Sequence, residues 1–395
     1  MNWKVILAIL TCNVVFMSAS YTMLIPFLPM YLIQDLGVDA EHVKIWSGII
    51  FSSTFVVSAV MAPIWGRLSD KKGKKLMAVR SGIGLSIAYF LAGIVSSPTE
   101  LMFARIAQGF AAGLWPAVLS IMTSYAPKQK LGLSLGILQG ALTAGGVIGP
   151  LFGGVLSEYF GMRMSFFCAS AALFAISLVL IFFVPEPPKK DLPAEEAAEK
   201  NETVHLFRIP LIRRMIICGG IVQLTILIIQ PIITIYIAEL HHSMENIVMI
   251  SGFVFSMTGI AGAIAAPFWG QYGQSRGFSR ALRYGLFGSA CIMVLRAIPD
   301  SLMIFTVLQF MLGLFFAAIQ PAINAILASN TEHKYQGRLF GLLFSSQQVG
   351  SIIGPILGGI ISTFFGLKSV FIMAGLLLFI LSITCHKMTD ENFHS

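Results

Sequence analysis

Charge is scarce in this sequence. Only 11% of its 395 residues are Asp, Glu, Lys or Arg, and 56% are hydrophobic, whereas roughly 25% of the residues of an ordinary soluble protein are charged. So few polar residues leave too little polar surface to coat a water-soluble protein of this size. The composition therefore excludes a soluble enzyme, a disulfide-rich secreted module and a disordered chain.

Cysteine is also rare, and the five cysteines lie far apart in apolar stretches: Cys12, Cys168, Cys218, Cys291 and Cys385. Their odd number and spacing indicate neither a disulfide framework nor a metal site, so we interpret them as small core residues. The sequence also lacks a Walker A lysine motif and the His pair of a zinc protease. ATP-driven transport and metal-dependent hydrolysis are therefore not indicated, and we expect neither a metal nor a cofactor.

The sequence is instead built of apolar runs long enough to cross a bilayer, which takes about 20 helical residues. Twelve such runs occur, in two sets of six. They lie at about 5–33, 46–66, 76–95, 100–125, 131–160, 164–184, 212–237, 247–269, 281–299, 301–328, 337–365 and 368–387. The first run could be read as a cleaved signal peptide, because it contains Ser18-Ala19-Ser20, but it continues to Leu32 and is longer than a signal core. We expect it to be retained as a span.

A polar linker separates the two sets. Between Pro185 and Arg208, 10 of 24 residues are charged, and four prolines oppose a regular helix. With a cytoplasmic N-terminus, 21 of the 26 Lys and Arg residues fall on the cytoplasmic side, as the positive-inside rule requires. The net charge of +8 thus reflects orientation, and no nucleic-acid partner is expected. The predicted domains are a bundle at 1–184, a cytoplasmic linker at 185–208, a second bundle at 209–388 and a cytoplasmic tail at 389–395.

The two sets of runs repeat each other. Ser47-Gly48 recurs as Ser251-Gly252, and the tryptophan in Ala-Pro-Ile-Trp-Gly, Trp65, recurs as Trp269, both at an offset of 204. After a one-residue slip, six glycines recur at an offset of 205: those at 132, 136, 145, 149, 153 and 154 recur at 337, 341, 350, 354, 358 and 359. The chain is therefore an internal duplication, of the kind in which two bundles rock about a midplane site.

The loop after the second run, GRLSDKKGKK from Gly66 to Lys75, carries one carboxylate among several cations. Asp70 suits a position beside a helix N-terminus, where unpaired amides favour negative charge. The cations hold the loop on the cytoplasmic side. A plain positive-inside loop is the alternative, but it does not account for Asp70 or the glycines.

This loop resembles the signature between helices 2 and 3 of the major facilitator superfamily, and the twelve spans, linker and duplication extend the resemblance over essentially the whole chain. The resemblance implies an all-α membrane protein with the major facilitator fold, twelve transmembrane helices in two pseudo-symmetric six-helix halves. The implied gating residues in the loop are Gly66, Asp70, Gly73 and Lys74. Asp70 would latch the cytoplasmic ends of the halves together near Gly337 and Arg338. The second half has Gln274 in place of the carboxylate, so we expect its latch to be degenerate.

The fourth run contains an arginine, Arg105. A guanidinium in an apolar span costs on the order of 2.5–3.5 kcal/mol on insertion scales and is a functional candidate by default. An arginine that snorkels to the outer surface is the alternative. The pattern Leu101-x-x-x-Arg105-x-x-Gln108-Gly109 is similar to the helix-4 motif of the superfamily, in which the arginine is associated with proton coupling.

The fifth run carries a second motif, formed by Gly145, Gly149, Pro150, Gly153 and Gly154. Glycines four apart let helices approach closely, and proline bends a helix, so one interpretation is a packing seam. The motif is also similar to the antiporter signature of the drug:proton antiporters, which favours export. Its recurrence from Gly350 to Gly359 departs from the family pattern and favours packing symmetry for the repeated copy.

Candidate pocket residues come from helical spacing, because helices 1, 4, 7 and 10 line the cavity in this superfamily. The candidates are Asn13, Gln108, Trp115, Gln223, Gln230, Phe316, Gln320 and Asn324. Amides mixed with aromatic residues suit an adaptable amphipathic pocket. Each of them could equally be a residue that hydrogen-bonds neighbouring helices to each other.

Acidic residues are missing from the interior of the runs. All 18 acidic residues and all seven histidines lie in loops or near the ends of runs. A buried anion that recognises lipophilic cations is therefore unsupported, which favours neutral, zwitterionic or acidic amphiphiles as substrates. The nearest candidates for binding the proton are Asp70, Glu158 and Glu239.

The whole chain is similar to bacterial twelve-helix multidrug-efflux proteins of the drug:proton antiporter family. The resemblance implies a monomeric, proton-coupled antiporter of the bacterial inner membrane, not an enzyme, which exports amphipathic small molecules by alternating access. Its partners would be the substrate, protons and the lipid bilayer. A dedicated exporter of one metabolite or siderophore would share every motif, and a proton-coupled nutrient symporter would accumulate solute instead. A membrane enzyme or receptor would need a catalytic cluster or ligand domain.

Overall fold

The computed structural model of the protein describes residues 2–39, 41–127, 130–187, 209–243, 246–331 and 333–391. The side chains of residues 70, 132, 333–338 and 386–391 lie outside that description. The described segments form sixteen α-helices. They are α1 (Trp3–Thr22), α2 (Leu28–Gln34), α3 (Val43–Lys72), α4 (Lys74–Ile94), α5 (Pro98–Ala111), α6 (Leu114–Tyr125), α7 (Leu131–Phe160), α8 (Met162–Phe183), α9 (Pro210–Leu227), α10 (Ile233–His241), α11 (Ile247–Arg276), α12 (Phe278–Leu295), α13 (Leu302–Phe316), α14 (Ile319–Ser329), α15 (His333–Phe365) and α16 (Leu367–Glu391).

The helices account for all twelve predicted runs, so the all-α membrane fold is confirmed. Runs 1, 4, 7 and 10 are each divided into two helices: α1/α2, α5/α6, α9/α10 and α13/α14. Among the described residues, eleven segments are long and apolar enough to span a membrane. The ninth run, α12, is not among them, because Arg280 and Arg283 lower its mean hydropathy.

The duplication extends to the backbone. Helices α3 and α11 have the same length, and their bounds differ by the offset of 204. Each is followed by a glycine with positive φ, Gly73 at 110° and Gly277 at 97°. The glycines after α7 and α15 also correspond, with φ of 84° at Gly161 and 85° at Gly366. Because L side chains rarely adopt this conformation, these glycines fix the tight turns between consecutive spans in both repeats.

Contacts divide the chain into two units. Unit 1 holds Met1–Lys190 and Ile233–Ser256, and unit 2 holds Asp191–Ile232 and Met257–Ser395. In unit 1, α1 packs on α7 and α4 packs on α8; in unit 2, the equivalent pairs are α9 with α15 and α12 with α16. Helix α10 packs on α2, which places it in unit 1. Residues 188–208 of the predicted linker lie outside the described residues.

The outward surfaces of the helices are apolar. Large side chains such as Phe182, Met303 and Phe365 are more than 70% exposed, as expected where lipid takes the place of water. The prediction that every cysteine is a core residue is therefore wrong, because Cys12 and Cys291 are exposed on such surfaces. Cys218 and Cys385, which are far apart in sequence, interact inside unit 2, where both are buried free thiols.

Candidate functional site

Arg105 in α5 is buried in unit 1, with 4% of its surface exposed. Its Nη1 donates a hydrogen bond to Oε1 of Gln108, 3.0 Å away, and the Phe51 ring centroid lies 5.9 Å from its Cζ. Tyr21 and Tyr89 interact with it electrostatically. The alternative of an arginine at the outer surface is therefore wrong, since the guanidinium turns inward onto the Gln108 amide.

Several polar atoms around Arg105 have no hydrogen-bond partner in the described part of the chain. They are Nε and Nη2 of Arg105 and Nε2 of Gln108. A buried donor without an acceptor costs about 1–3 kcal/mol, and more when it is charged. Such groups in a membrane span mark a binding or relay function more often than a structural one.

Unit 2 contains a network of side-chain amides. Gln347 donates to Gln320 at 3.0 Å, and Gln320 donates to Asn324 at 3.2 Å. On the adjoining turn of α15, the Ser351 hydroxyl donates to the backbone carbonyl of Gln347 at 3.0 Å and accepts from Gln223 at 3.3 Å. The predicted candidates Gln223, Gln320 and Asn324 thus lie in one network. Gln347 and Ser351, which sequence reasoning missed, join them.

The predicted face of the fourth span does not continue through it. Helical spacing puts Arg105, Gln108 and Trp115 on one face only if the span is one unbroken helix, but α5 ends at Ala111 and α6 begins at Leu114. Gly113, between them, has a φ of 123°. Trp115 therefore lies on a separate helix, and helical spacing does not relate it to Arg105.

The seventh and tenth spans are interrupted in the same way. Gln230 lies in the turn between α9 and α10, so it does not share a helix with Gln223. Phe316 ends α13, whereas Gln320 and Asn324 belong to α14. In the first span, Asn13 is buried within α1, and its Nδ2 donates to the Ile9 carbonyl while its Oδ1 has no partner in the described residues.

The break between α5 and α6 is held by two side chains from neighbouring spans. The Trp65 indole N–H donates to the Phe110 carbonyl at 2.8 Å. Arg80 donates to the Ala112 carbonyl at 3.0 Å and stacks on Trp65, with its Cζ 3.8 Å from the ring centroid. A cation at the C-terminal end of a helix also complements the helix dipole. Arg80 therefore stabilises the break, a role that its place near the start of the third apolar run did not reveal.

The second repeat reproduces half of this arrangement. The Trp269 indole N–H donates to the Leu314 carbonyl, 2.6 Å away. The residue corresponding to Arg80 is Tyr284, which packs on Tyr272 with ring centroids 6.2 Å apart. A tryptophan indole thus binds a carbonyl near the break of the divided span in both repeats, and the arginine contact is specific to the first repeat.

We expect Trp65→Phe to lower the melting temperature of the purified protein more than Trp269→Phe. Each change removes one hydrogen bond to a carbonyl, about 1 kcal/mol, and Trp65→Phe also weakens the stacking on Arg80, about 0.5–2 kcal/mol. Trp46→Phe is the control, because no hydrogen bond of its indole to the described residues is present. Melting curves in detergent measure the difference, and equal effects of the two changes would contradict the role of Arg80.

The glycine motif of α7 forms a close seam with α1 and the chain after it. A Cβ added at Gly149 would lie 2.6 Å from the Ala19 carbonyl oxygen, and one at Gly153 would lie 2.5 Å from that of Met23. One at Gly145 would lie 3.0 Å from the Ala19 nitrogen. Real Cβ atoms essentially never come closer than 3.0 Å to another atom, so the glycines of the motif form a packing seam.

The repeated motif forms the same seam in unit 2. A Cβ at Gly350 would lie 2.9 Å from the Leu224 nitrogen, and one at Gly354 would lie 2.9 Å from the Leu224 oxygen. Gly358 meets the backbone of Ile228 in the same way. Packing symmetry accounts for both copies.

Gly154 and Pro150 of the α7 motif also contact the first half of α11, within unit 1. A Cβ at Gly154 would lie 3.1 Å from Cα of Met249, and one at Gly252 would lie 3.1 Å from the carbonyl carbon of Pro150. Ser256 also donates to the Val147 carbonyl at 2.9 Å. The first half of α11 thus packs on the other face of α7.

A carboxylate from outside the loop from Gly66 to Lys75 lies at the N-terminus of α4. Glu186 accepts a hydrogen bond from the backbone N–H of Lys75 at 3.2 Å, in the first turn of α4. A Cβ at Gly73 would lie 2.8 Å from its carboxyl carbon. The side chain of Asp70 and those of Gly337 and Arg338 lie outside the described residues. Glu186, an exposed residue of the predicted linker, therefore caps α4.

The lysines of this loop bind the ends of two other helices. Lys74 donates from Nζ to the Ser124 hydroxyl at 2.8 Å and the Ser120 carbonyl at 3.3 Å. Lys75 donates to the Ile181 carbonyl at 2.7 Å. Because cations stabilise helix C-termini, these contacts tie the loop to α6 and α8. Gly66 is exposed with open space around it.

We expect Glu186→Gln to lower the melting temperature of the purified protein by a small amount. The exchange keeps an acceptor for the Lys75 amide but removes the charge at the α4 N-terminus, an effect of about 0.3–1 kcal/mol at a surface. Added salt should shrink the difference, since it screens exposed charges. Glu41→Gln, at an exposed site in another loop, is the control, and a Glu186→Gln protein as stable as wild type in low salt would contradict the cap.

The other acidic residues that the structure describes lie in loops or near helix ends, as predicted. Glu158 is half-buried near the end of α7, and Glu239 is exposed near the end of α10. Asp35, just after α2, lies 3.4 Å from Nε of Arg163. Partial burial raises its pKa above the ordinary value, although the charge of Arg163 lowers it. The part of the chain that is described contains no group of three residues able to hold a metal ion.

Unit 2 also has an open apolar groove of about 540 Å³. Its lining is formed by Phe268, Trp269, Tyr272, Tyr284, Phe287, Gly288, Cys291, Ile292, Met311 and Phe315. Several of these rings are exposed on the outward surface of the helices. The groove offers a surface to lipid, whereas Arg105 and the amide network carry the polar chemistry.

Comparison with known proteins agrees with this architecture. The family model described as Major Facilitator Superfamily matches residues 10–298 and 215–390. Multidrug resistance protein MdtG of Proteus mirabilis (strain HI4320) is 32% identical over 383 residues, covering 96% of this chain and 94% of that protein. The uncharacterized MFS-type transporter YuxJ of Bacillus subtilis (strain 168) is 32% identical over 366 residues, covering 92% and 93%.

Solved structures show the same fold at low identity. A bacterial homolog of the human lysosomal transporter Spinster superposes with a TM-score of 0.78 at 15% identity, covering 97% of this chain and 96% of that one. The nucleoside transporter NupG superposes with a TM-score of 0.76 at 14% identity, covering 98% and 99%. The chain therefore belongs to the major facilitator superfamily, whose members are membrane transporters and not enzymes.

Proposed function

We propose that the protein is a proton-coupled antiporter that exports amphipathic small molecules from the bacterial cytoplasm by alternating access. The observation that carries the proposal is the pair of polar clusters inside apolar spans, Arg105 with Gln108 in unit 1 and the amide network in unit 2. Arg105, Gln108, Gln223, Gln320 and Asn324 lie on spans that the chain divides into two helices, and Gln347 and Ser351 lie on the continuous helix α15. Divided helices with free backbone groups are where secondary transporters bind substrate and coupling ions.

The direction of transport is supported by two features. The α7 motif has the antiporter pattern, and several relatives at 32% identity carry the name multidrug resistance protein. The motif is a weaker indicator of coupling because its repeat is also a packing seam: the corresponding glycines pack α15 on α9 in unit 2. Export of amphiphiles is therefore proposed mainly on the clusters and the relatives.

The moving parts are proposed to be the two bundles at 1–184 and 209–388, joined by the linker at 185–208 with both termini in the cytoplasm. Asp70 is proposed to latch the inner ends of the bundles, and Arg105 to take part in coupling. Each proton that enters across the membrane supplies about 2.3 kcal/mol per 100 mV. The protein is proposed to work as a monomer in the inner membrane.

Accumulation in whole cells tests the direction. Cells that express the protein are loaded with a panel of fluorescent amphiphiles, fluoroquinolones and siderophores, beside cells that express an equal amount of Asp70→Asn. Export predicts lower accumulation of several compounds in the wild-type cells only. Lower accumulation of one compound alone would indicate a dedicated exporter, and higher accumulation would indicate a symporter and overturn the proposal.

A further inference from the structure

The unpartnered atoms at Arg105 have a defined chemistry. Nη1 is occupied by Gln108, and the two free nitrogens, Nε and Nη2, form one edge of the guanidinium. That edge presents two parallel N–H groups, the fork that binds a carboxylate through two hydrogen bonds. Nε2 of Gln108 adds a third donor without a partner among the described residues.

Every free group in this cluster is a donor. Oε1 of Gln108, the acceptor that could have held a cation, is already bound to Arg105. A ligand with acceptor atoms only, such as a carboxylate, satisfies all three nitrogens, whereas a cation would face an uncompensated positive charge. No carboxylate of the described chain pairs with Arg105. The counter-charge therefore comes from outside the cluster.

The surroundings of the cluster fit an amphipathic anion. Phe51 covers the guanidinium from one side, with its centroid 5.9 Å from Cζ. Tyr21, which interacts with Arg105 electrostatically, keeps 42% of its surface exposed. The cluster thus has aromatic side chains beside it, which suits an aromatic body attached to the acidic group.

We infer that the Nε–Nη2 edge of Arg105, with Nε2 of Gln108, binds the carboxylate of the transported molecule, so that the substrates are carboxylate-bearing amphiphiles. The inference rests on the proposed function, whose substrate class it specifies. It also gives Arg105 a role in recognition that is separable from coupling. If a residue is needed only for coupling, its substitution changes gradient-driven transport. The equilibrium preference of the protein for an acid over its ester then stays unaltered.

Equilibrium binding of matched acid and ester pairs tests the inference. The probes are rhodamine 110 with its methyl ester rhodamine 123, and norfloxacin with its ethyl ester, measured by dialysis against the full-length protein in detergent with no gradient. Wild type should bind the acid of at least one pair about tenfold or more tightly than the ester. Arg105→Gln should weaken binding of the acid by about 10- to 100-fold, the range for a charged hydrogen-bonded contact. Binding of the ester should not change.

Two further variants keep the result interpretable. Arg105→Lys retains the positive charge but lacks the two parallel N–H groups. Its affinity for the acid should lie between those of wild type and Arg105→Gln. Arg213→Gln removes an exposed cation and should match wild type, and melting curves confirm that each variant is folded. Equal binding of acid and ester by wild type, no binding of either acid, or an acid preference that survives Arg105→Gln would overturn the inference. If gradient-driven transport is intact but the preference for the acid is absent, the carboxylate site is refuted and the proposed function stands.

Discussion

Arg105→Ala is expected to reduce gradient-driven transport about tenfold or more while the protein still reaches the membrane in normal amount. The substitution removes a guanidinium that is 4% exposed and leaves Gln108 without its hydrogen bond. Loss of one charged contact to a bound anion alone corresponds to about 1.5–3 kcal/mol. Transport into inverted membrane vesicles, normalised to the amount of protein, measures the effect.

The control for this prediction is Arg213→Gln, which removes an exposed cation at the start of α9 and should keep the wild-type rate. Because the buried arginine is itself costly in a span, Arg105→Ala should leave the protein as stable as wild type or more so. An unchanged transport rate in Arg105→Ala would contradict a function for the cluster. If transport is lost because less folded protein reaches the membrane, Arg105 has a structural role.

Gly149→Val is expected to remove most of the folded protein from the membrane. The added Cβ would lie 2.6 Å from the Ala19 carbonyl oxygen, and neither helix backbone can give way without opening the seam between α1 and α7. Overpacking of this kind costs about 1–3 kcal/mol or more. Folded protein recovered in mild detergent, judged by a single symmetric peak in size-exclusion chromatography, measures the effect.

The same helix supplies the control. Gly136 and Gly140 also lie on α7, but an added Cβ would meet nothing within 4 Å at either position, so Gly140→Ala should be neutral or slightly stabilising. Gly354→Ala tests the repeated seam, since its Cβ would lie 2.9 Å from the Leu224 oxygen. A packing role predicts that Gly149→Ala and Gly354→Ala lose protein to a similar extent. Normal amounts of an uncoupled Gly149→Ala protein would show instead that the first copy serves coupling.

The features that the sequence predicted well are those with a periodic or repeated signal. Twelve apolar runs, the offset of 204 and the glycine spacing all have direct counterparts in the helices and seams. The positive-φ glycines Gly73 and Gly277 mark the same turn in both repeats. These features depend on local composition or on one pair of helices, so the residues themselves carry the information.

The features that it predicted poorly depend on contacts between distant segments. The faces drawn through Trp115 and Gln230 assumed unbroken helices, yet the break after α5 is stabilised by Trp65 and Arg80 from other spans. Glu186 caps α4 although 111 residues separate it from Lys75. Gln347 joined the amide network because α15 brings it to Gln320. No local pattern marks any of these contacts.

Reconstitution tests the central claim, proton-coupled export, most directly. Purified protein is placed in liposomes with an imposed pH gradient of about two units, and uptake of the probe amphiphiles is followed with and without nigericin, which collapses the gradient. One-for-one exchange limits the accumulation driven by such a gradient to about 100-fold. The account predicts accumulation that approaches this limit and disappears with nigericin or with Arg105→Ala. Probe movement that is the same with the gradient present and collapsed would contradict it.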